Sequence, residues 1–408
     1  MNDYQKKLYQ ELLNLLETNP GSFKYVDYPQ EQGGLYRVFK YDIPKYSEFN
    51  QPSARDCRGT MFYVNGEDVK LVALPLKKFH SLGETPETVN IEPSKAKYAY
   101  IKEDGSLITS YISPIDNKLK FKSMNMPTYM QYELVEASIS ENLMNDIDKL
   151  TRNDISVCLE LTTPKNRVFI EYDDYKVHVL KARDMKTGEY IDIRSKEFSE
   201  EYPYIAESLV KQVPVHTINV NDKSIEGYVI EMENGELYKV KTIPYLTISS
   251  VVNIQDRSKE KEVIYKATLE EVLDEIRSLY HYRSHSPNFP LAEILQRIDQ
   301  IEDYAIKTYH YLKHTVEDFY SQNKDLERGD YARKAKELNE LMPVLMEKYL
   351  GRDVDYKQAA IKVYSKKHID VPDLRDMKKH VSLTEFLQNK KDNSVENHTE
   401  IKRNKLKL

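Results

Sequence analysis

Up to about residue 250 apolar and polar positions alternate in short runs, and beyond about residue 260 they recur at helical spacing. Tyr98, Tyr100 and Lys102 share one side of a run that stops at Asp104-Gly105, and LITSYI (107–112) follows. Similar runs are SVCLEL (156–161), NRVFIEY (166–172), YKVHVLKA (175–182), and the pair EGYVIEM (226–232) and ELYKVKT (236–242) around Asn234-Gly235. A period of two between turn residues marks half-buried strands. The spacing predicts a mostly antiparallel α+β domain, not a doubly wound one. The opening MNDYQKKLYQELLNLLETNP reads as an amphipathic helix and lacks the apolar run of a signal peptide.

The second half changes period. Ile264, Leu269, Val272, Leu273, Ile276, Leu279 and Tyr280 fall at steps of one to five, as do Leu291, Ile294, Leu295, Ile298, Ile301, Ala305 and Leu312 with a longer last step. A third pattern runs from about Tyr331 to Leu350 and closes at Gly351. Ten of the twelve glycines and thirteen of the seventeen prolines precede residue 250, so the boundary is visible in punctuation as well. The expected organisation is an α+β domain over 1–250, an all-α domain over 251–377 and a polar basic tail over 378–408. That tail has eight Lys/Arg against four Asp/Glu and the composition of a flexible segment.

Composition narrows the class. The 408 residues carry a net charge of −6, which argues against wholesale wrapping of nucleic acid but allows a local basic groove. With only Cys57 and Cys158 there is no disulfide framework and no cysteine-rich zinc site. No run approaches the roughly 18 apolar residues of a membrane helix. A cytoplasmic protein with no membrane partner is expected. The pairs His281/His285 and His310/His314 have helical spacing but no intervening glutamate of a zinc-hydrolase helix, so solvated or capping roles are expected. Of the 32 tyrosines, most should pack in the core and a few could stack on unpaired bases.

Chemistry concentrates in a few motifs. Lys102-Glu103-Asp104-Gly105 reads first as a hairpin turn, because Asp-Gly is a favoured turn dipeptide. Its functional reading is a nucleophilic lysine beside a nucleotide. With Asn234-Gly235 as a two-residue loop, Glu233 pairs with Glu236. Glu226, Tyr228 and Ile230 then share a face with Lys239 and Lys241, while Val229, Tyr238 and Val240 take the other. One carboxylate and two ammonium groups on one face can be a solvated ion pair, or a site for a polyphosphate and its metal. Two such cations would also help a nearby third lysine lose its proton. Cys57-Arg58-Gly59-Thr60, Pro75-Leu76-Lys77-Lys78-Phe79, Glu160 in CLELTTP and Asn166-Arg167-Val168 complete the set.

The order of these motifs resembles the covalent nucleotidyltransferases, the superfamily of polynucleotide ligases and RNA capping enzymes. It is most similar to the phage RNA ligase 1 family of ATP-dependent single-stranded RNA ligases. YRVFKY, CRGTMF, the P-x-x-K-F segment, KEDGSL, FKS, EGYV and YKVKT carry the likeness. It covers about residues 20–280, and 280–370 loosely; the tail after 378 has no counterpart. The resemblance implies an antiparallel-sheet adenylyltransferase domain followed by an all-α domain. It implies that Lys102 becomes adenylated, with Asp104 and Gly105 in the same motif. Tyr41, Arg58 and Lys78 would line the ATP site, Glu160 would contact ribose or a hydrated metal, and Glu226 would sit by the metal and the α-phosphate. Lys239 and Lys241 would hold phosphates, Tyr245 would lie at the rim, and Asp274 matches a carboxylate linked to Mg²⁺. One departure is Met124, where the family often has a basic residue after Phe121-Lys122-Ser123.

The implied chemistry is ligation in three steps, through lysyl-AMP and an RNA-adenylate, joining a 5′-phosphate to a 3′-hydroxyl. A free lysine near pKa about 10.4 is mostly protonated at neutral pH, so nearby charge or burial must favour the amine. Helices after the Lys-x-Lys strand, where DNA ligases and capping enzymes have a small β-barrel, favour the RNA ligase 1 type. Implied partners are single-stranded RNA ends, nicked tRNA above all, and an end-healing enzyme, in a bacterial host infected by a phage. The alternative is a non-catalytic RNA- or nucleotide-binding protein that keeps the ligase fold.

Overall fold

The computed structural model describes residues 1–128, 132–165, 170–249, 260–283 and 291–367. The expected tail over 378–408, the Asn166-Arg167-Val168 segment and His285 lie outside the described residues. The chain divides into two compact units. One holds Met1–Val251 and Asp274–Leu291, the other Val252–Leu273 and Ala292–Leu408.

Among the described residues the first unit has thirteen strands. They are β1 (Phe23–Pro29), β2 (Leu35–Tyr41), β3 (Arg58–Asn65), β4 (Asp68–Ala73), β5 (Tyr98–Lys102), β6 (Ser106–Ile112), β7 (Leu119–Ser123), β8 (Ile155–Thr162), β9 (Lys176–Asp184), β10 (Tyr190–Ile191), β11 (Gln212–Val213), β12 (Gly227–Glu231) and β13 (Leu237–Lys241). They form three sheets, ordered β1-β2-β3-β4, β10-β9-β8-β6-β7 and β11-β5-β12-β13. Every ladder is antiparallel, as the alternating pattern predicts.

The first sheet buries both faces, with Phe39, Phe62 and Leu71 on one side and Tyr36, Val38, Met61 and Val72 on the other. The opening helix, Asp3–Thr18, places Leu8, Leu12 and Leu15 one turn apart against Phe39, Phe62 and Leu71 of the first sheet. Each leucine removed from water contributes roughly 1.5–3 kcal/mol. The helix starts on a reciprocal cap, in which Asn2 accepts from Gln5 N–H and the Gln5 side chain accepts from Asn2 N–H. Helices Tyr132–Ser138 and Glu141–Arg152 cover the second sheet, where Leu143, Ile147 and Leu150 meet Val157, Leu159 and Val179. Arg183 on β9 is wholly buried and ties two sheets. It donates to Asp56 just ahead of β3, to the Pro75 carbonyl and to the Gly188 carbonyl.

Several expectations need correction. Asp104-Gly105 is not a hairpin turn: β5 and β6 belong to different sheets, and the segment carries the chain between them. In the NRVFIEY run, Ile170–Tyr172 form no strand but a loop stitched to Asp104. The β12–β13 register is shifted by one residue. The loop is Glu233-Asn234-Gly235, closed by Met232 and Glu236, with Gly235 at φ +79°. Glycine in the left-handed region permits this three-residue turn with a bulge, and it reverses which residues share a face. Lys239 pairs with Val229 and Lys241 with Gly227, while Tyr228, Ile230, Tyr238 and Val240 take the opposite side.

The helical pattern over 264–280 is two helices, Glu260–Leu269 and Leu273–Arg283, separated at Glu271, whose φ of +62° no helix tolerates. The second of them belongs almost entirely to the first unit. The pattern over 291–312 is the start of one long helix, Leu291–Asn323. The third pattern becomes Arg328–Ala335, a 3₁₀ turn and Met342–Tyr349, restarted by Pro343 in its first turn. The second unit packs on tyrosines: Tyr265 bonds Thr308 at 2.8 Å, and Tyr331 meets Phe319 and Tyr349. Among the described residues, no helix is long and apolar enough to cross a membrane.

Candidate active site

Register places the charges. Lys102 on β5 pairs with Gly227 on β12, which pairs with Lys241 on β13. In the next row, Tyr100, Val229 and Lys239 are aligned in the same way. Paired residues point to the same face of a sheet, so three ammonium groups share one surface. Gly227 is required in the middle, because a Cβ there would lie 2.3 Å from the Val240 carbonyl oxygen. Glu226, one residue ahead of β12, fills the space between the outer lysines. Its carboxylate accepts from Lys102 at 2.6 Å and faces Lys241 at 3.2 Å. Lys241 meets a second carboxylate, Glu275, at 2.6 Å.

This face lines a cavity of about 300 Å³. Its walls include Arg58, Lys102, Glu160, Glu226, Lys239 and Lys241, with Phe79, Leu107, Val229 and Leu237 supplying apolar surface. Arg58 opens β3, and its Nε and Nη1 atoms are buried with no hydrogen-bond partner among the described residues. A guanidinium facing a cavity in that condition is suited to an anion. Lys122 holds the bend beside it. The Lys122 ammonium donates to the carbonyls of Gly59 at 2.8 Å and Ser123 at 2.5 Å, and Gly59 has φ +93°. The Met124 backbone packs against the same glycine.

Burial and charge set the titration of these groups. Burial works against the Glu226 carboxylate, but Lys102 and Lys241 outweigh it and hold the pKa below the ordinary value. Burial would lower Lys241, yet Glu226, Asp274 and Glu275 hold it above the usual lysine range. Lys239, two residues away, moves the other way to about 7, through burial and the nearby Lys78. Glu160 is raised to about 7, mainly by burial and further by Glu226, while Lys102 opposes the shift. A lysine and a carboxylate that both change charge near neutrality are what proton movement at a reacting centre needs.

The other expected residues are placed as follows. Glu160 accepts from Gly105 N–H at 3.2 Å. Gly105 packs against β8 so closely that a Cβ would lie 2.3 Å from the Leu161 carbonyl oxygen. Asp104 accepts from Tyr245 Oη at 3.0 Å, and Tyr245 is only 6% exposed, so it lies beneath the site and not at its rim. Tyr41 and Lys78 are not among the residues that line the cavity. Both lean on Phe49, and Lys78 is drawn to Glu84 at 3.5 Å. Asp274 also stands outside the cavity wall. It accepts from Ser81 at 2.8 Å and faces Lys239 at 3.5 Å.

Among the described residues, no three His, Cys, Asp or Glu side chains gather into a ready metal cluster. Glu160, Glu226 and Asp274 are instead each engaged with an N–H, a hydroxyl or an ammonium. Three residues were missed by motif reading. Glu275 had a weak signal as the neighbour of Asp274. Glu84, which accepts from Ser81 N–H and bonds His80, and Tyr172 had none.

The sequence model of a family described as RNA ligase matches residues 56–246. That interval contains Arg58, Lys102, Glu160, Glu226, Lys239, Lys241 and Tyr245, and it leaves out Tyr41 and Asp274. The resemblance to RNA ligases is thereby borne out. A protein of Thermovibrio ammonificans described as "Putative RNA ligase" is 25% identical over 166 residues, covering 40% of this chain and 42% of that protein. The chain thus spans less than half the length of this curated relative. Among solved structures, an archaeal ATP-dependent RNA ligase has a TM-score of 0.43 at 11% identity, covering 82% of this chain and 89% of that one. A Naegleria gruberi RNA ligase variant with ATP and Mn has a TM-score of 0.32 at 12% identity, covering 41% and 56%.

Proposed function

We propose that the chain is an ATP-dependent RNA ligase with Lys102 as its nucleophile. The observation that carries this is the row Lys102–Gly227–Lys241. It sets an amine beside two further lysines and an open guanidinium in one cavity, inside the segment that matches the RNA ligase family. In the first step Lys102 Nζ attacks the α-phosphorus of ATP. An N–P bond forms, the bond to the β-phosphate oxygen breaks, pyrophosphate leaves and the amine loses a proton. The AMP then passes to a 5′-phosphate oxygen of RNA, freeing Lys102. An RNA 3′-hydroxyl finally attacks that phosphate, forming the phosphodiester and expelling AMP.

The residues suit these steps. Lys102 donates to Glu226 at 2.6 Å, and that carboxylate keeps the side chain on the cavity face until phosphate replaces it. Lys239, Lys241 and Arg58 meet negative charge that grows on non-bridging oxygens. Apolar walls at Val229, Leu237 and Leu107 fit the flat face of a base. Glu160 and Glu226 line one cavity, where the Glu226 charge adds to burial in raising the Glu160 pKa, and such a pair of carboxylates suits a hard divalent cation brought in with the triphosphate. Mg²⁺ would there neutralise phosphate charge, with Glu160, Glu226 and, from the cavity's edge, Asp274 as candidate holders. The RNA would present single-stranded ends, nicked tRNA included, and an end-healing enzyme would prepare them. This part rests on the family resemblance and on the helices that follow β13.

The test is to incubate the protein with Mg²⁺ and ATP labelled at the α-phosphate, without RNA. Label should attach to the protein through an acid-labile bond, move to 5′-phosphorylated RNA, and be absent from Lys102→Ala with an unchanged circular dichroism spectrum. Wild-type labelling of that variant removes Lys102 as nucleophile. An unlabelled wild-type protein, freed of carried AMP, points to a binding protein instead.

A further inference from the structure

Lys102 ends β5, and the next three residues cross to another sheet. A hairpin would satisfy their backbone groups with its partner strand; a crossing cannot, so other groups must do it. Side chains provide it here. Gly105 N–H donates to Glu160 at 3.2 Å, and Asp104 N–H donates to Tyr172 Oη at 2.8 Å. The Tyr172 hydroxyl then donates onward to Glu103 Oε2 at 3.1 Å. Two residues earlier on the same loop, Ile170 N–H donates to Asp104 Oδ2 at 2.9 Å, while Tyr245 holds Asp104 Oδ1. The Glu103 carboxylate is approached at 3.6 Å by His178 of β9, whose other ring nitrogen lies 3.1 Å from Thr162 Oγ1.

We infer that Tyr172 is a positioning residue for the nucleophile. Its single hydroxyl accepts a hydrogen bond from the Asp104 N–H and donates one to the Glu103 carboxylate, which fixes the direction in which β5 delivers that lysine. Tyr172 does not line the cavity, so it acts through Glu103 and Asp104 and does not touch substrate. The hydroxyl is well suited to this task. Burial, together with the Glu103 charge it faces, holds its pKa above the ordinary value, so the proton donated to Glu103 stays in place at working pH. Phenylalanine at this position would keep the ring and lose both bonds.

The inference rests on Lys102 being the adenylated residue, and the reaction itself separates the two claims. Lys102 acts as nucleophile in self-adenylation, whereas sealing of RNA that already carries a 5′-adenylate needs no lysine nucleophile. In Tyr172→Phe, the single-turnover rate of self-adenylation at saturating ATP should fall about tenfold, because both hydrogen bonds of the hydroxyl are lost. Sealing of pre-adenylated RNA should stay within about twofold of wild type, as should the ATP concentration for half-maximal labelling. Equal losses in both reactions would mean that Tyr172 merely supports the fold. No loss in either would remove it from any role. A wild-type protein that seals pre-adenylated RNA but takes no label would overturn the nucleophile assignment and this inference with it.

Discussion

Arg183 and Lys122 are fully buried and Lys239 and Lys241 largely so, yet their partners differ in kind. Arg183 is held by Asp56 at 2.8 Å and by the carbonyls of Pro75 and Gly188; Lys122 is held by two carbonyls. Backbone oxygens cannot swing away, so these cations are committed to the fold. Around the cavity the partners are side-chain carboxylates: Glu226 for Lys102, Glu226 and Glu275 for Lys241, Asp274 for Lys239. A phosphate can replace a carboxylate by rotation of a side chain. Arg58 goes further, with two buried nitrogens that have no hydrogen-bond partner among the described residues. A cation that binds ligand is one whose present partner can leave.

That contrast can be broken at several points. Arg183→Met should cost the most stability, about 3–5 kcal/mol in urea unfolding, because it strands Asp56 as a buried uncompensated charge. Arg58→Met should do the reverse. Self-adenylation falls by about 100-fold, in line with the loss of one charge-stabilising group, while the urea midpoint is unchanged or raised. If Arg58→Met unfolds the protein, the guanidinium is structural and the distinction fails there.

A smaller effect concerns Lys122. Its pKa is pushed down to about 7, chiefly by burial, against about 10.4 for an exposed lysine. Between those values the unfolded chain holds a proton that the folded chain lacks, so stability rises with pH across the window. The wild type should gain about 2 kcal/mol over Lys122→Met between pH 7 and pH 9 in parallel urea titrations. A flat difference would show that the carbonyl pair keeps the ammonium charged throughout.

Much of the site was legible in linear sequence because strands report themselves locally. Lys102, Glu160, Lys239 and Lys241 all sit on runs whose period of two predicted the strand, and the order of motifs resembled one family of ligases. What misled was turn chemistry. Asn234-Gly235 fits a two-residue hairpin as well as the three-residue loop that forms, and one residue of slip exchanged the faces of β12. Asp104-Gly105 likewise has a turn's composition but joins two sheets. Tyr172 left no trace, since its partners lie 68 and 69 residues away in the chain, and Glu84 left none because its neighbours Ser81 and His80 carry no pattern that marks the turn they share.

By itself, the sequence determined the antiparallel α+β class, the switch to helices near residue 260, the residue types of the site and its likeness to RNA ligases. These depend on periodicity, punctuation and identity, which are properties of neighbouring residues. Tertiary structure decided that Gly227 stands between Lys102 and Lys241, that Tyr41 and Lys78 lean on Phe49 and do not line the cavity, and that Asp274 and Glu275 join the first unit. Such choices follow from which strands pair, in which register, and which charges must be neutralised once they are buried together. The balance among those demands is struck only when distant segments meet.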